Sequence, residues 1–347
     1  VSGGIDMNCF FSSAVLKNLT SENAGIRSAV LIHSESSELM HRLLSSCVAR
    51  AERNGLSCHK FLSKYDYDKL CAVYIKNRKI FIGDKAIIPD LHEFSTVKTI
   101  DADEIYESTL NKSVVGKINS QRKLYISEAE KYESSAAAIS RESAKMLFQF
   151  VDRAKILNYI LRFMQRKGLR QASKDGLEST FTLGSITSWG VHTCFESVAE
   201  KCSDVYSICD CTRNIASLLI NGFSSAFRQC GKDTEKFTCS LCPEFSEHLC
   251  IPELSLAFVC ENDYHPYRYS DSGEISQARF LKRNIPHCLT QKLICNEELK
   301  DELISSAVFS LYDAMERDNE LCRYLQAFEN AEKYEVLNKE IENLCFE

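Results

Sequence analysis

Apolar and polar positions along the chain fall into strand-like and helix-like stretches that come in the same order twice. The run Val30–Leu31–Ile32 is followed by a polar loop, "HSESSE". A helical pattern then runs from Leu39 to about Arg53, Asn54-Gly55 breaks it, and a second strand-like run covers Cys58–Leu62. The segment 72–91, "AVYIKNRKIFIGDKAIIPDL", reads as two short strands, VYI and KIFIGD, around a polar turn. Ahead of these, Cys9 to Leu19 reads as a helix. From 119 to 167 apolar residues recur every three, four or seven positions (Tyr125, Ala129, Tyr132, Ala136, Ile139, then Met146, Phe150, Ala154, Leu157, Leu161, Met164), the spacing of a helical stripe. The polar tract 167–178, "KGLRQASKDGLE", reads as a linker.

Beyond the linker the order starts again. Residues 181–208 read as loop, helix and apolar strand, and 209–239 as loop, helix, glycine turn and strand. A further apolar strand lies in 249–262, and 297–344 return to helical spacing through Leu299, Leu303, Ala307, Leu311, Ala314, Leu321, Leu325 and Phe328. Residues 30–88 lie on 206–264 without a gap, at six identities in 59 pairs (Ile32/Ile208, Leu43/Leu219, Gly55/Gly231, Lys60/Lys236, Phe61/Phe237, Ile75/Ile251). Identity at that level proves nothing; the shared order of elements is what points to a tandem duplication. The expected domains are 1–175, with a helical insertion at about 119–167, and 176–347, closed by helices at about 297–344.

Composition narrows the class. Apolar content of 44% and charged content of 26% suit a globular chain with sizeable cores. A net charge of −6 argues against a nucleic-acid partner, and no apolar run is long enough for a membrane helix. Seventeen cysteines, many in apolar or helical contexts (Cys47, Cys260, Cys295, Cys345), read as small hydrophobes of a reducing cytoplasm.

"CIPELSLAFV" (250–259) and "DYDKLCAVYIKNRKIFIGD" (66–84), with "SGG" near the start and "GSITSWGV" (184–191), carry a resemblance. Together they resemble segments of an uncharacterised bacterial ATPase-like family with two tandem P-loop nucleotide-hydrolase domains, and the likeness extends in patches over nearly the whole chain. The resemblance implies an α/β fold: two tandem P-loop NTPase-like domains with mostly parallel sheets, each with a long helical excursion. It also implies a glycine-rich loop in each domain, whose backbone N–H groups cradle phosphates while a lysine and a hydroxyl handle charge and Mg²⁺. The loops found here depart from that. After Ile32 the chain reads "HSESSELMHR" and after Ile208 "CDCTRNIASL", with Met40 and Ala216 at the lysine positions and no glycine in either. Glu35 and Glu38 sit where phosphate oxygens belong, the wrong sign for an anion site. What the resemblance leaves of a nucleotide site is Asp84, as a Mg²⁺ contact, with Arg213 and Ser217 in the second copy; Cys260 takes the place of Asp84 there.

Three further features carry chemistry. Cys209-x-Cys211 and Cys239-x₂-Cys242 offer four thiolates for zinc, private to the second copy, against the plainer reading of scattered cysteine. His265, in "NDYHPYRY", reads as a surface-loop histidine. "VSGGID" (1–6) resembles the pyrophosphate loop of ATP pyrophosphatases, but Met7 follows it in place of the hydroxyl that loop needs, and it reads as a terminal turn. The expected function is a catalytically degenerate, non-hydrolysing interaction or regulatory protein of the cytoplasm, without a cofactor and working through protein partners. The alternatives are an ATP–Mg²⁺-binding protein using a rearranged site and a thiolate–zinc protein.

Overall fold

The computed structural model describes residues 7–11, 28–87, 95–209, 214–267, 273–282 and 284–346. In chain order these form β1 (Met7–Phe11), β2 (Ser28–His33), α1 (Ser37–Arg53), β3 (Cys58–Leu62), β4 (Leu70–Ile75), β5 (Ile80–Asp84), β6 (Thr96–Asp101), α2 (Lys112–Phe148) and α3 (Arg153–Arg166). There follow β7 (Glu178–Phe181), β8 (Gly184–Thr187), β9 (Gly190–Thr193), α4 (Glu196–Ala199), β10 (Asp204–Cys209), α5 (Asn214–Gln229) and β11 (Thr234–Thr238). The last are β12 (Ser246–Ile251), β13 (Leu256–Glu261), β14 (Gly273–Ser276), α6 (His287–Gln326) and α7 (Ala331–Phe346). The chain is α/β, with mixed sheets of mostly parallel strands.

Two units divide it. One holds residues 1–130, 187–190 and 308–347; the other holds 131–186 and 191–307. The first contains a six-stranded sheet in the order β1-β3-β4-β5-β2-β6, in which β4 alone runs against its neighbours. Ala29 to Ile32 of β2 and all of β4 are buried, which is why both read as continuous apolar runs rather than alternating ones. Ser36 caps α1, its hydroxyl accepting from Leu39 N at 3.1 Å. Leu39, Leu43, Leu44, Cys47 and Ala51 of α1 join Val30, Ile32, Val73 and Ile82 in one core with Leu337, Ile341 and Cys345 of α7.

The second unit repeats the plan. Its sheet runs β7-β11-β12-β13-β10-β14, with β12 alone antiparallel. Each of β10 to β12 begins 176 residues after β2, β3 and β4 respectively (28 to 204, 58 to 234, 70 to 246). The bulge between Phe61 and Leu62 recurs between Phe237 and Thr238. Gly55 (φ 67°) and Gly231 (φ 74°) end α1 and α5 in the left-handed conformation that favours glycine. The only two non-glycine residues with positive φ among the described ones, Lys79 and Ser255, are also 176 apart. The core is aromatic: Phe223 and Phe258 stack at 4.1 Å, with Phe163 of α3 edge-on to both.

Each unit is finished by helices from a distant part of the chain. In the first, Glu107 N donates to Phe328 O at 2.9 Å and Asn330 N to Ile105 O at 3.1 Å, pinning the turn between α6 and α7. In the second, Lys282 N donates to Phe150 O at 2.8 Å and Asp152 N to Phe280 O at 2.7 Å, pinning the turn between α2 and α3 in the same way.

Two sequence expectations are corrected. Met7–Phe11 is a strand, not the start of a helix: Phe10 and Phe11 are buried and the segment pairs in parallel with β3. The stretch from 119 to 167 is broken at Gln149–Asp152, and the buried face of α3 is Ile156, Ile160, Phe163 and Met164, while Leu157 and Leu161 are half or more exposed. Both sets fit helical spacing; the aromatic core selects the one that can reach it.

Candidate functional site

In parallel sheets, ligands bind beyond the carboxyl ends of strands, where loops open between diverging connections. The first unit has a cleft of about 520 Å³ at that place. Its wall is Ser34–Ser37 at the entry to α1, the loop Ser63–Asp66 after β3, Asp84 at the end of β5, and Arg122, Met315 and Asp318 from α2 and α6.

The loop between β2 and α1 is where the resemblance would put a nucleotide phosphate, and the Ser34 hydroxyl and the Glu35 and Ser36 N–H groups there already have partners. Asp103, in the turn after β6, accepts Glu35 N at 3.1 and 3.2 Å and Ser34 Oγ at 3.0 Å. Ser36 N donates to Ser34 Oγ at 3.0 Å, and Met40 N to Ser36 O at 3.1 Å. No residue from Ser34 to Arg42 has positive φ, so the backbone does not curl its N–H groups around a common point. The Glu35 carboxylate is itself held by Asn119 Nδ2, with the Arg122 guanidinium 3.8 Å away. The Asp103 carboxylate thus takes the place of an anion at Glu35 N and the Ser34 hydroxyl.

Behind the loop lies an ion cluster. Asp318 receives Arg122 at 2.5 Å and Lys69 at 3.3 Å, and Ser37 Oγ donates to it as well. Lys69 also reaches Asp66 at 3.4 Å. Burial by itself lowers the Lys69 pKa; the surrounding negative groups, Asp318 first, more than offset it and leave the ammonium above its ordinary value. Burial raises the Asp84 carboxyl above the usual range, although Ala86 N donates to it at 2.8 Å and His33 and Arg122 lie near. Burial raises Asp103 too, against the pull of the Glu35 N–H and Ser34 hydroxyl. His33, Asp101 and Asp103 place one ligand atom each within 4.8 Å of one another at the ends of β2 and β6, a set able in principle to hold a divalent cation, with His33 and Asp101 exposed.

The other sequence candidates are scattered. Ser217 is buried in the first turn of α5, where its hydroxyl accepts Ser246 N at 3.0 Å. It faces the sheet of the second unit, while Asp84 ends a strand of the first. Arg213 lies outside the described residues, as does Cys211. Cys239 and Cys242 are buried beside Ala137, Leu241 and Phe245. Cys209 ends β10, and the sulfurs of Cys209, Cys239 and Cys242 do not all lie within 4.8 Å of one another. Val1–Asp6, with the "SGGID" motif, is likewise outside the described residues.

His265 is not a surface histidine. It is 4% exposed; Nδ1 lies 2.6 Å from Thr193 Oγ1, and Nε2 lies 3.5 Å from the buried Glu247 carboxylate. The Asn262 side chain turns the segment inward by accepting Tyr264 N and His265 N. Sequence reasoning missed Asp103, Arg122 and Asp318 altogether. Asp103 carried one faint signal, an Asp-x-Asp pair straight after a strand; Arg122 and Asp318 carried none.

No family model, no curated protein and no solved structure matches the chain.

Proposed function

We propose that the protein is a non-hydrolysing interaction or regulatory protein, built on the frame of tandem P-loop ATPase-like proteins after their phosphate chemistry has been lost. One observation supports this above others. The N–H and hydroxyl that open the β2–α1 loop donate to Asp103, a carboxylate of the protein itself. A phosphate at that position would meet Asp103 and Glu35 at close range and would have to displace both; like charges there raise the cost of binding, and the charge-cancelling lysine is Met40. The frame remains usable for binding partners, while the cations nearest the loop, Lys69 and Arg122, are already paired with Asp318 rather than free for the electrostatics of phosphoryl transfer.

The test is phosphate release from ATP and GTP with Mg²⁺, comparing the wild type with an Arg213→Ala, Asp84→Ala double variant. No turnover above background is expected in either. Wild-type turnover abolished in the double variant would replace this reading with a rearranged nucleotide site. A thermal-shift panel with ATP, GTP and ADP adds a binding readout, since a true ligand at 100 times its Kd stabilises by about 2.7 kcal/mol.

A further inference from the structure

A second groove lies in the second unit, away from any candidate the sequence offered. Lys155, Tyr159, Arg162 and Arg166 of α3 line it, and Arg279 closes it from the turn before α6. Positions 155, 159, 162 and 166 are spaced by four, three and four residues, so they form one stripe about 16 Å long on the helix. The groove has a volume of about 690 Å³ and no carboxylate in its lining.

Among the described residues, its arginines have no carboxylate partner, whereas five arginines elsewhere do. Arg42, Arg50, Arg122, Arg141 and Arg317 each contact a glutamate or aspartate. Among the described residues, no carboxylate lies within ion-pair distance of Arg162, Arg166 or Arg279. Lys155 is held in place by Leu281 O at 2.8 Å, with Asp152 at 4.0 Å. In a chain of net charge −6, with more acidic than basic side chains available for pairing, three guanidiniums without a carboxylate partner in one groove concentrate positive potential there. The matching helix of the first unit, α7, shows nothing similar: the groove beside it offers one lysine, Lys339, and one carboxylate, Glu340. The repeat therefore does not require the basic stripe, and the fold stands without it.

We propose that this groove is a binding site for a polyphosphate group. Planar guanidinium forks match phosphoryl oxygens two at a time, and several forks along one short groove suit adjacent phosphoryl groups better than a lone carboxylate. Nucleic acid fits less well. Of the two aromatic rings in the lining, Phe280 is buried, and Tyr159 is covered by the Arg279 guanidinium at 5.2 Å and meets Phe280 and Phe223 edge-on at 5.5 and 6.3 Å. It offers no open face for a base, which sequence-tolerant single-strand binding uses. The site binds phosphate oxygens and leaves whatever they are attached to in solvent.

The experiment is calorimetric titration of the full chain with inorganic tripolyphosphate at about 50 mM and about 200 mM salt. ATP and a phosphodiester oligonucleotide serve as further arms. The expected result is one site per chain for tripolyphosphate, weaker at the higher salt. In an Arg162→Glu, Arg166→Glu variant the Kd should rise roughly 100-fold or more, because each charge-assisted pair is worth about tenfold or more. Both residues are exposed, so the variant should melt like the wild type. A Lys117→Glu, Lys339→Glu variant makes the same change of charge at exposed positions of the first unit and should bind as the wild type does. No binding at about 1 mM tripolyphosphate in the lower salt, or equal weakening in both variants, would overturn the proposal. So would an oligonucleotide that binds more tightly than tripolyphosphate at equal phosphate concentration, which would make the groove a nucleic-acid surface instead.

Discussion

Replacing Asp318 by alanine removes the centre of the ion cluster in the first unit. Its side chain is 13% exposed, and those of Lys69 and Arg122 are 11% and 18% exposed. At 3.3 Å and an effective dielectric near 20, the Lys69–Asp318 attraction alone is about 5 kcal/mol before desolvation is subtracted. Breaking a fully buried pair costs about 3–5 kcal/mol, because the partner charge stays behind without compensation. The residual exposure of all three side chains places the net loss near the lower end, about 3 kcal/mol. The assay is a urea titration of the full chain followed by far-UV circular dichroism. With a slope of about 2 kcal/mol per molar, the midpoint should fall by about 1.5 M. Adding Lys69→Met should cost less than the two single losses combined, since the second change removes a cation the first has stranded. The Lys69 pKa is raised in the folded state, so its contribution is present below the unfolded value and fades as pH rises through the folded one; Asp318→Ala should abolish that alkaline loss. A midpoint shift under about 0.5 M would show that water screens the cluster as it does surface pairs, and would refute the account.

Glu178 is held below the usual carboxylate range: burial pushes it up, but Lys236 at 2.7 Å and the Ser224 hydroxyl pull it further down. Its stabilisation is therefore present above the unfolded pKa and lost as pH falls through the folded one, and Glu178→Gln should flatten the acid limb of the second unit's melting curve. Phe258→Ala, at the centre of the aromatic core of that unit, should cost about 3–5 kcal/mol in denaturant titration; a loss under about 1 kcal/mol would mean the core is loosely packed. Protein purified under reducing conditions should carry no stoichiometric zinc by elemental analysis, whereas one zinc per chain that disappears in Cys239→Ser would restore the four-thiolate site.

Local pattern revealed more of the fold than of the site. The apolar runs at Val30–Ile32 and Val73–Ile75, and the glycine breaks at Gly55 and Gly231, mark real strands and helix ends because burial and backbone conformation are set within a few residues. The 176-residue offset was visible in element order, where six identities could not establish it. The α3 stripe failed because two apolar faces competed and only tertiary packing against Phe223 and Phe258 separates them. The site failed differently. Asp103 meets Glu35 across 68 positions and Asp318 meets Arg122 across 196, and nothing in a single sequence says which distant charges will converge. The basic stripe of α3 could have been counted from its spacing, but Arg279, which turns it into a groove, could not.

The borrowed helices impose an order on synthesis. The second unit is complete once residue 307 has been made, because its own strands and the α2–α3 turn all precede that point. The first unit has its sheet by about residue 101 yet lacks 308–347, the segment that carries Asp318 and the α7 residues of its core. From residue 130 to residue 308 is 178 residues, about 10–35 s of translation at ordinary rates. For that interval the earlier-made sheet waits with Leu43, Leu44 and Cys47 not yet covered by Leu337, Ile341 and Cys345. The nascent chain is thus most exposed to aggregation in its older part, and a chaperone that holds apolar surface on the ribosome would act there first.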